Sequence, residues 1–227
     1  MELLEYAVFP EVVDRVEFAM IGLHGRDADK HAFFPFVRQM GFLHTQWTLP
    51  SAPFSHEHAP GVRRWFDKET ENLEQIEYSR MHISQIIDSR LKEGIAAENI
   101  FLVGFSQGAV MALHTALRYP QRLGGVVALS GYLALPHILQ QEAHRANRRI
   151  PVFIAHGTRD ETLSVEHSRI ATSVLRAMGY SVNFFESDTG HRISSETVRQ
   201  IRAFLHRHMY GLSIDDQRTA DAHIAPF

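Results

Sequence analysis

Between about residues 16 and 209, short apolar runs alternate with longer amphipathic stretches, the pattern of successive βαβ units around a mostly parallel sheet. No internal repeat or low-complexity segment interrupts it. Strands are expected at 16–23, 45–49, 100–104, 125–129, 152–156 and 182–186. The runs Phe101-Leu102-Val103 and Val126-Val127-Ala128-Leu129 are apolar throughout, as strands covered on both faces must be. A helix at 69–92 would place Leu73, Ile76, Ile83, Ile87 and Leu91 near one stripe and stop at Gly94. A second, at 165–178, would stop at Gly179. The last helix should begin at Ser194 or Ser195, with Glu196 in its first turn, and end by Gly211. The expected class is α/β, a mostly parallel central sheet with helices on both faces. Residues 1–211 form one domain in this reading, and 212–227 form a C-terminal tail. Three prolines in 50–61 suggest a long surface loop there.

Composition narrows the chemistry. Lys and Arg number 23 against 26 Asp and Glu, a formal charge of −3, with no basic run to track a phosphate backbone, so nucleic acid is excluded as a partner. Cysteine is absent, which removes disulfides, thiolate metal sites and cysteine nucleophiles together. There is no apolar stretch long enough to span a bilayer and no signal-like N-terminus, pointing to a cytoplasmic protein. The 15 histidines raise the question of metal. His56-Glu57-His58 falls among prolines, His206 and His208 face different directions on a helix, and no His-Glu-x-x-His occurs, so neither a metal site nor a cofactor is expected.

Gly104-Phe105-Ser106-Gln107-Gly108 follows an apolar strand and opens a helix-like stretch, the context of a nucleophile elbow. Small residues two before and two after the serine are needed because the strand-to-helix turn is so tight that side chains would collide. A serine hydroxyl is a weak nucleophile until a base takes its proton, and the base needs an acid to fix its tautomer. In this fold the order is serine, acid, histidine, each after a strand. Asp160 and His191 lie in loops of that kind and order, giving Ser106 as nucleophile, His191 as general base and Asp160 as its partner. Glu161 and Asp188 are the rival acids, and His156 remains an alternative base, while His24 reads as a loop-shaping residue. For the oxyanion the candidates are the backbone N–H groups of Gln107, next to the nucleophile, and of Leu23, in the strand-then-His-Gly segment Ile21-Gly22-Leu23-His24-Gly25.

These blocks, with Leu49-Pro50-Ser51-Ala52-Pro53, Trp65-Phe66-Asp67, Leu129-Ser130-Gly131, His156-Gly157-Thr158-Arg159-Asp160 and Gly190-His191-Arg192-Ile193, resemble the phospholipase/carboxylesterase family of α/β-hydrolases. That group includes acyl-protein thioesterases and small bacterial carboxylesterases. The likeness runs from about residue 17 to 208. It implies an α/β-hydrolase fold, the same three catalytic residues, oxyanion donors at Leu23 and Gln107, and an acyl groove at Phe54, Trp65, Tyr132 and Leu133. Asp27, where the family usually has another glycine, and Ala109 are departures.

The expected function is a cofactor-independent serine carboxylesterase using an acyl-enzyme on short to medium acyl chains, with a small-molecule ester or lipid-like substrate. A lysophospholipase or acyl-protein thioesterase is the alternative within the class, and a non-catalytic binding protein the alternative outside it. A dienelactone-hydrolase-like enzyme would need the missing cysteine. Related enzymes often pair, which leaves a homodimer open.

Overall fold

Strands apolar on both faces can be stable only if helices cover both sides, and the chain is laid out accordingly. The computed structural model describes residues 3–56, 59–68 and 70–211. In order come β1 (Tyr6–Phe9), β2 (Phe18–Leu23), α1 (Phe34–Val37), β3 (Thr45–Pro50), β4 (Phe54–His56), β5 (Ala59–Arg64), α2 (Leu73–Lys92) and β6 (Ile100–Phe105). Then follow α3 (Gln107–Arg118), β7 (Gly125–Leu129), α4 (Pro136–Glu142), β8 (Val152–Gly157), α5 (Glu166–Ala177), β9 (Val182–Ser187) and α6 (Ser195–Tyr210). Seven strands form one sheet in the order β1-β3-β2-β6-β7-β8-β9, with only β1 antiparallel to its neighbour.

The period of two along each strand divides the core. In β6, Ile100 and Leu102 join the cluster under α2, α3 and α5, whereas Phe101 and Val103 face the cluster under α1 and α6. In β2, Ala19, Ile21 and Leu23 take the first side and Phe18 and Met20 the second. Helix ends follow local chemistry. Ser194 caps α6 by accepting the Thr197 N–H at 3.0 Å. Gly94, Gly179 and Gly211 all have positive φ just past helix ends, the left-handed conformation that L side chains avoid.

Several expectations are corrected. Helix α2 starts at Leu73, four residues later than predicted, because Asn72 caps it by accepting the Gln75 N–H at 3.0 Å. Leu73 is therefore an exposed first-turn residue outside the buried stripe, which is completed by Ile86. The proline-rich segment is not an irregular loop. β3 runs through Pro50, and β4 and β5 form a separate two-stranded hairpin with Phe54 opposite Arg64. Both strands of such a hairpin are edges, where proline's missing N–H is tolerated. β1, α1 and α4 were not anticipated; α1 and α4 are short, and β1 borrows its order from β3. The tail at 212–227 lies outside the described residues. Among the described residues no helix is long and apolar enough to cross a membrane.

Candidate active site

The carboxyl ends of β2, β6, β8 and β9 converge on one edge of the sheet, where an open α/β sheet leaves its functional crevice. Ser106 occupies the turn from β6 into α3 with φ 55° and ψ −122°, a backbone conformation costing on the order of 1–3 kcal/mol for a residue with a Cβ. Its N–H donates to the Leu129 carbonyl at 2.8 Å, while its own carbonyl accepts from Ala109 at 2.9 Å, the first bond of α3. The two flanking glycines are required sterically. A Cβ at Gly104 would stand 2.1 Å from the Gly108 carbonyl oxygen, and one at Gly108 would stand 2.1 Å from the Leu23 carbonyl oxygen.

The structure brings the three predicted polar residues together. His191 Nε2 is 3.0 Å from Ser106 Oγ, and its Nδ1 is 2.6 Å from Asp160 Oδ2. Asp160 Oδ1 accepts the N–H groups of Thr162 and Leu163, both at 2.9 Å. Burial by itself would push the Asp160 carboxyl up, but the His191 hydrogen bond and the two backbone donors outweigh it and hold the group below the usual carboxylate range. Facing a charged acceptor, Nδ1 carries the imidazole proton and leaves Nε2 free to accept the Ser106 hydroxyl. The Phe105 ring packs on His191 with centroids 4.8 Å apart, restricting the imidazole's orientation.

The rival residues lie elsewhere. Asp188 is exposed and bridges Arg159 at 2.7 Å, and Glu161 is exposed on the surface. His156 does not face Ser106. Its Nδ1 meets Ser168 Oγ at 2.7 Å and its Nε2 meets the Leu163 carbonyl at 2.8 Å. His24 shapes its loop: Nδ1–H donates to the Gly25 carbonyl at 2.7 Å, and Nε2 accepts the Ala52 N–H at 3.0 Å. Among the described residues no cluster of three or more His, Cys, Asp or Glu could hold a metal ion.

Gln107 is the first residue of α3, where a backbone N–H has no partner within the helix and points out of its N-terminus. Its buried side chain clamps a distant segment, Oε1 accepting the Trp65 N–H at 2.8 Å and Nε2 donating to the Phe66 carbonyl at 2.7 Å. Leu23 is the last residue of β2. It is a fully buried strand residue in register with Gly104, and its carbonyl abuts Gly108. The chain reaches Ser106 two to three residues later: a Cβ on Gly25 would lie 3.4 Å from Ser106 Cβ, and Arg26 lines the cavity at the serine. Asp27, in place of a glycine, adopts φ 58°, with its N–H bonded to the Arg63 carbonyl of β5 at 3.0 Å.

One cavity adjoins the serine and a larger one neighbours it. The smaller, about 50 Å³, is lined by Ser106, Gln107, Arg26, Phe66 and four residues it shares with the larger: Lys68, Tyr132, Thr162 and Leu163. The larger, about 410 Å³, extends along α5 past Leu133, Pro136, Ile170 and Val174. Of the residues expected at an acyl groove, Tyr132 lines both cavities and Leu133 the larger. Trp65 lines neither, being fully buried with its indole N–H donating to the His24 carbonyl at 2.9 Å, and Phe54 packs instead on Tyr78 with centroids 5.5 Å apart. Lys68 and Arg26 were not anticipated, since a lone cation in a loop carries no periodicity or motif.

The chain is similar to known proteins along most of its length. The sequence model of the Phospholipase/Carboxylesterase family matches residues 6–209. The chain is similar to acyl-protein thioesterase 1 of Eremothecium gossypii, 30% identical over 210 residues and covering 83% of this chain and 87% of that one. It is also similar to the carboxylesterase SOBER1 of Arabidopsis thaliana, 28% identical over 213 residues, covering 86% and 92%. Among solved structures, esterase PE8 superposes with a TM-score of 0.84 at 27% identity over 91% of this chain and 99% of that one.

Proposed function

Because the chain belongs to the phospholipase/carboxylesterase family and is a hydrolase of the α/β-hydrolase fold, we propose that it cleaves carboxylic esters through Ser106, His191 and Asp160. The observation that carries this reading is the unbroken hydrogen-bonded line from the Ser106 hydroxyl through both His191 nitrogens to a buried carboxylate. His191 Nε2 takes the hydroxyl proton as Oγ attacks the ester carbonyl, and the imidazolium is stabilised by Asp160. The same proton then passes to the leaving alkoxide. Water, deprotonated by His191, releases the acid from the acyl-enzyme. The oxyanion is held by the backbone N–H of Gln107 and, in place of Leu23, that of Arg26, the residue whose chain segment borders Ser106.

The neighbouring cavity, about 410 Å³, lies at the small end of ligand sites and has an apolar wall on α5. It suits a short to medium acyl chain, with Lys68 at the junction limiting a long apolar one. The alternative, a lysophospholipase or protein thioesterase, draws on the similarity to acyl-protein thioesterases and requires a longer apolar path. The test is fluorophosphonate labelling of wild type and Ser106→Ala, run beside an ester series of increasing acyl length. Labelling and turnover by wild type alone are expected, with rates peaking at short to medium chains. Folded wild type that neither labels nor turns over would overturn the reading, and a maximum at long chains would move it to the alternative.

A further inference from the structure

Asp160 serves two histidines. Oδ2, which receives His191 Nδ1 at 2.6 Å, also stands 3.2 Å from His156 Nε2, and both side chains, Asp160 and His156, are completely buried. His156 Nε2 has the Leu163 carbonyl as its other neighbour, at 2.8 Å. Both neighbours can only accept, so Nε2 carries a proton. On the far side of the ring, Nδ1 meets Ser168 Oγ on α5 at 2.7 Å, and that oxygen lies 3.0 Å from the Gly131 carbonyl. With a neutral imidazole protonated on Nε2, the single Ser168 hydroxyl hydrogen is divided between Nδ1 at 2.7 Å and the Gly131 carbonyl, to which it donates at 3.0 Å.

We propose that His156 is a positioning residue of the triad: its Nε2–H, hydrogen-bonded to the Leu163 carbonyl, sets the positive edge of the ring against the Asp160 carboxylate 3.2 Å away and draws charge from the oxygen that supports His191, setting how basic His191 is. This rests on the reading of Ser106, His191 and Asp160 given above. A hydrogen bond to a charged acceptor is the stronger kind, and charge drawn toward a second positive edge leaves less for the first. The charged and titratable groups facing His156 are few. Asp160 comes from its own loop, His191 from the loop after β9, and Glu186 from β9, where it is in register with His156 and paired with Arg169 of α5 at 2.7 Å. β7, the other neighbouring strand, presents only Gly125–Leu129, which is apolar. Burial favours the neutral imidazole, consistent with an N–H donor at neutral pH and not a second cation.

Removing the His156 N–H leaves Oδ2 to His191 alone, so the protonated form of His191 gains stabilisation and its titration moves upward. The experiment follows the His191 ring by NMR through a pH titration, assigned against His191→Gln, in wild type, His156→Leu, His156→Gln and Ser168→Ala. The expected result is an upward shift of roughly 0.5–1 pH unit in His156→Leu. A smaller shift of the same sign is expected in Ser168→Ala, and return toward wild type in His156→Gln, whose amide can again donate. The low-pH limb of kcat/KM should move with it. An unmoved His191 titration in both His156→Leu and Ser168→Ala overturns the proposal, even if melting temperature falls. Should His156→Leu fail to fold, Ser168→Ala decides alone. The NMR readout needs no turnover, so absence of fluorophosphonate labelling in wild type would count against the hydrolase mechanism and be told apart from an unmoved titration.

Discussion

Replacing Asp160 by Asn changes one atom of nearly the same size, and the structure says which bond it breaks. Oδ1 accepts two backbone N–H groups at 2.9 Å, and Oδ2 accepts His191 Nδ1–H at 2.6 Å, while His156 Nε2, hydrogen-bonded to the Leu163 carbonyl, stands 3.2 Å from it. All four neighbours are donors, whereas an amide has one accepting oxygen and one donating nitrogen. The lower-cost orientation keeps the oxygen on the two backbone donors and turns the NH2 toward His191. The imidazole must then accept at Nδ1 and place its proton on Nε2, facing Ser106 Oγ at 3.0 Å, where a base needs a lone pair. Loss of the base through its tautomer costs on the order of 10⁴ in kcat where it has been measured in a triad, about 5.4 kcal/mol at 1.36 kcal/mol per decade. Stability should fall too. The Asp160 carboxyl is held below its unfolded value, so its contribution is complete above the unfolded titration range and is lost as pH falls through the folded one. The variant lacks that contribution at neutral pH. The assay is p-nitrophenyl ester hydrolysis, with circular dichroism to establish folding. An Asn variant that folds and keeps a tenth or more of wild-type kcat/KM would refute the assignment of Asp160 as the histidine's acid.

Four further outcomes follow from the same contacts. Gly104→Ala sets a methyl 2.1 Å from a backbone carbonyl that no rotamer can move away, so thermal unfolding should show destabilisation of about 1–3 kcal/mol or failure to accumulate folded protein; an unchanged melting temperature would contradict the elbow geometry. Gln107→Ala leaves the buried Trp65 N–H and Phe66 carbonyl unpaired, at about 1–3 kcal/mol each, which calorimetry should read as a drop of several degrees. Lys68→Leu makes the junction of the two cavities apolar, and the ester series should shift toward longer chains; a lower rate at every length with no shift would remove Lys68 from the substrate path. His24, His114 and His156 are all held below the ordinary histidine value, first by burial, so unfolding takes up protons as pH falls through that range. Melting temperature should therefore be flat above neutrality and decline below about pH 6.5, and a decline confined to the carboxylate range would place the proton uptake elsewhere.

What the sequence made legible, and what it hid, has a single physical cause. Parallel strands buried on both faces must be continuous apolar runs, so β2, β6, β7 and β8 could be located within one or two residues of their ends. The elbow was legible because Gly104 and Gly108 are each excluded from bearing a Cβ by backbone alone. β1 and the β4–β5 hairpin lack that constraint. β1 is half exposed at the sheet edge, and the hairpin stands outside the main sheet, stitched to the loop after β2 by bonds from Asp27 to Arg63 and from Arg63 to Ala28. Those bonds join residues about 35 positions apart and leave no periodic mark. The oxyanion segment is hard to read from sequence for the same reason. The His24-Gly25 pair announces a loop, but which N–H turns toward Ser106 depends on where that loop is tied down, and here the tie lies on β5. His156 and Asp160, by contrast, are four residues apart in one visible block, yet their shared oxygen depends on how far β8 runs before the chain turns. It runs through Gly157, where a Cβ would meet the Thr189 carbonyl at 2.3 Å, so the loop bearing Asp160 must fold tightly over the one bearing His191. That close approach places a second imidazole within reach of the Asp160 carboxylate.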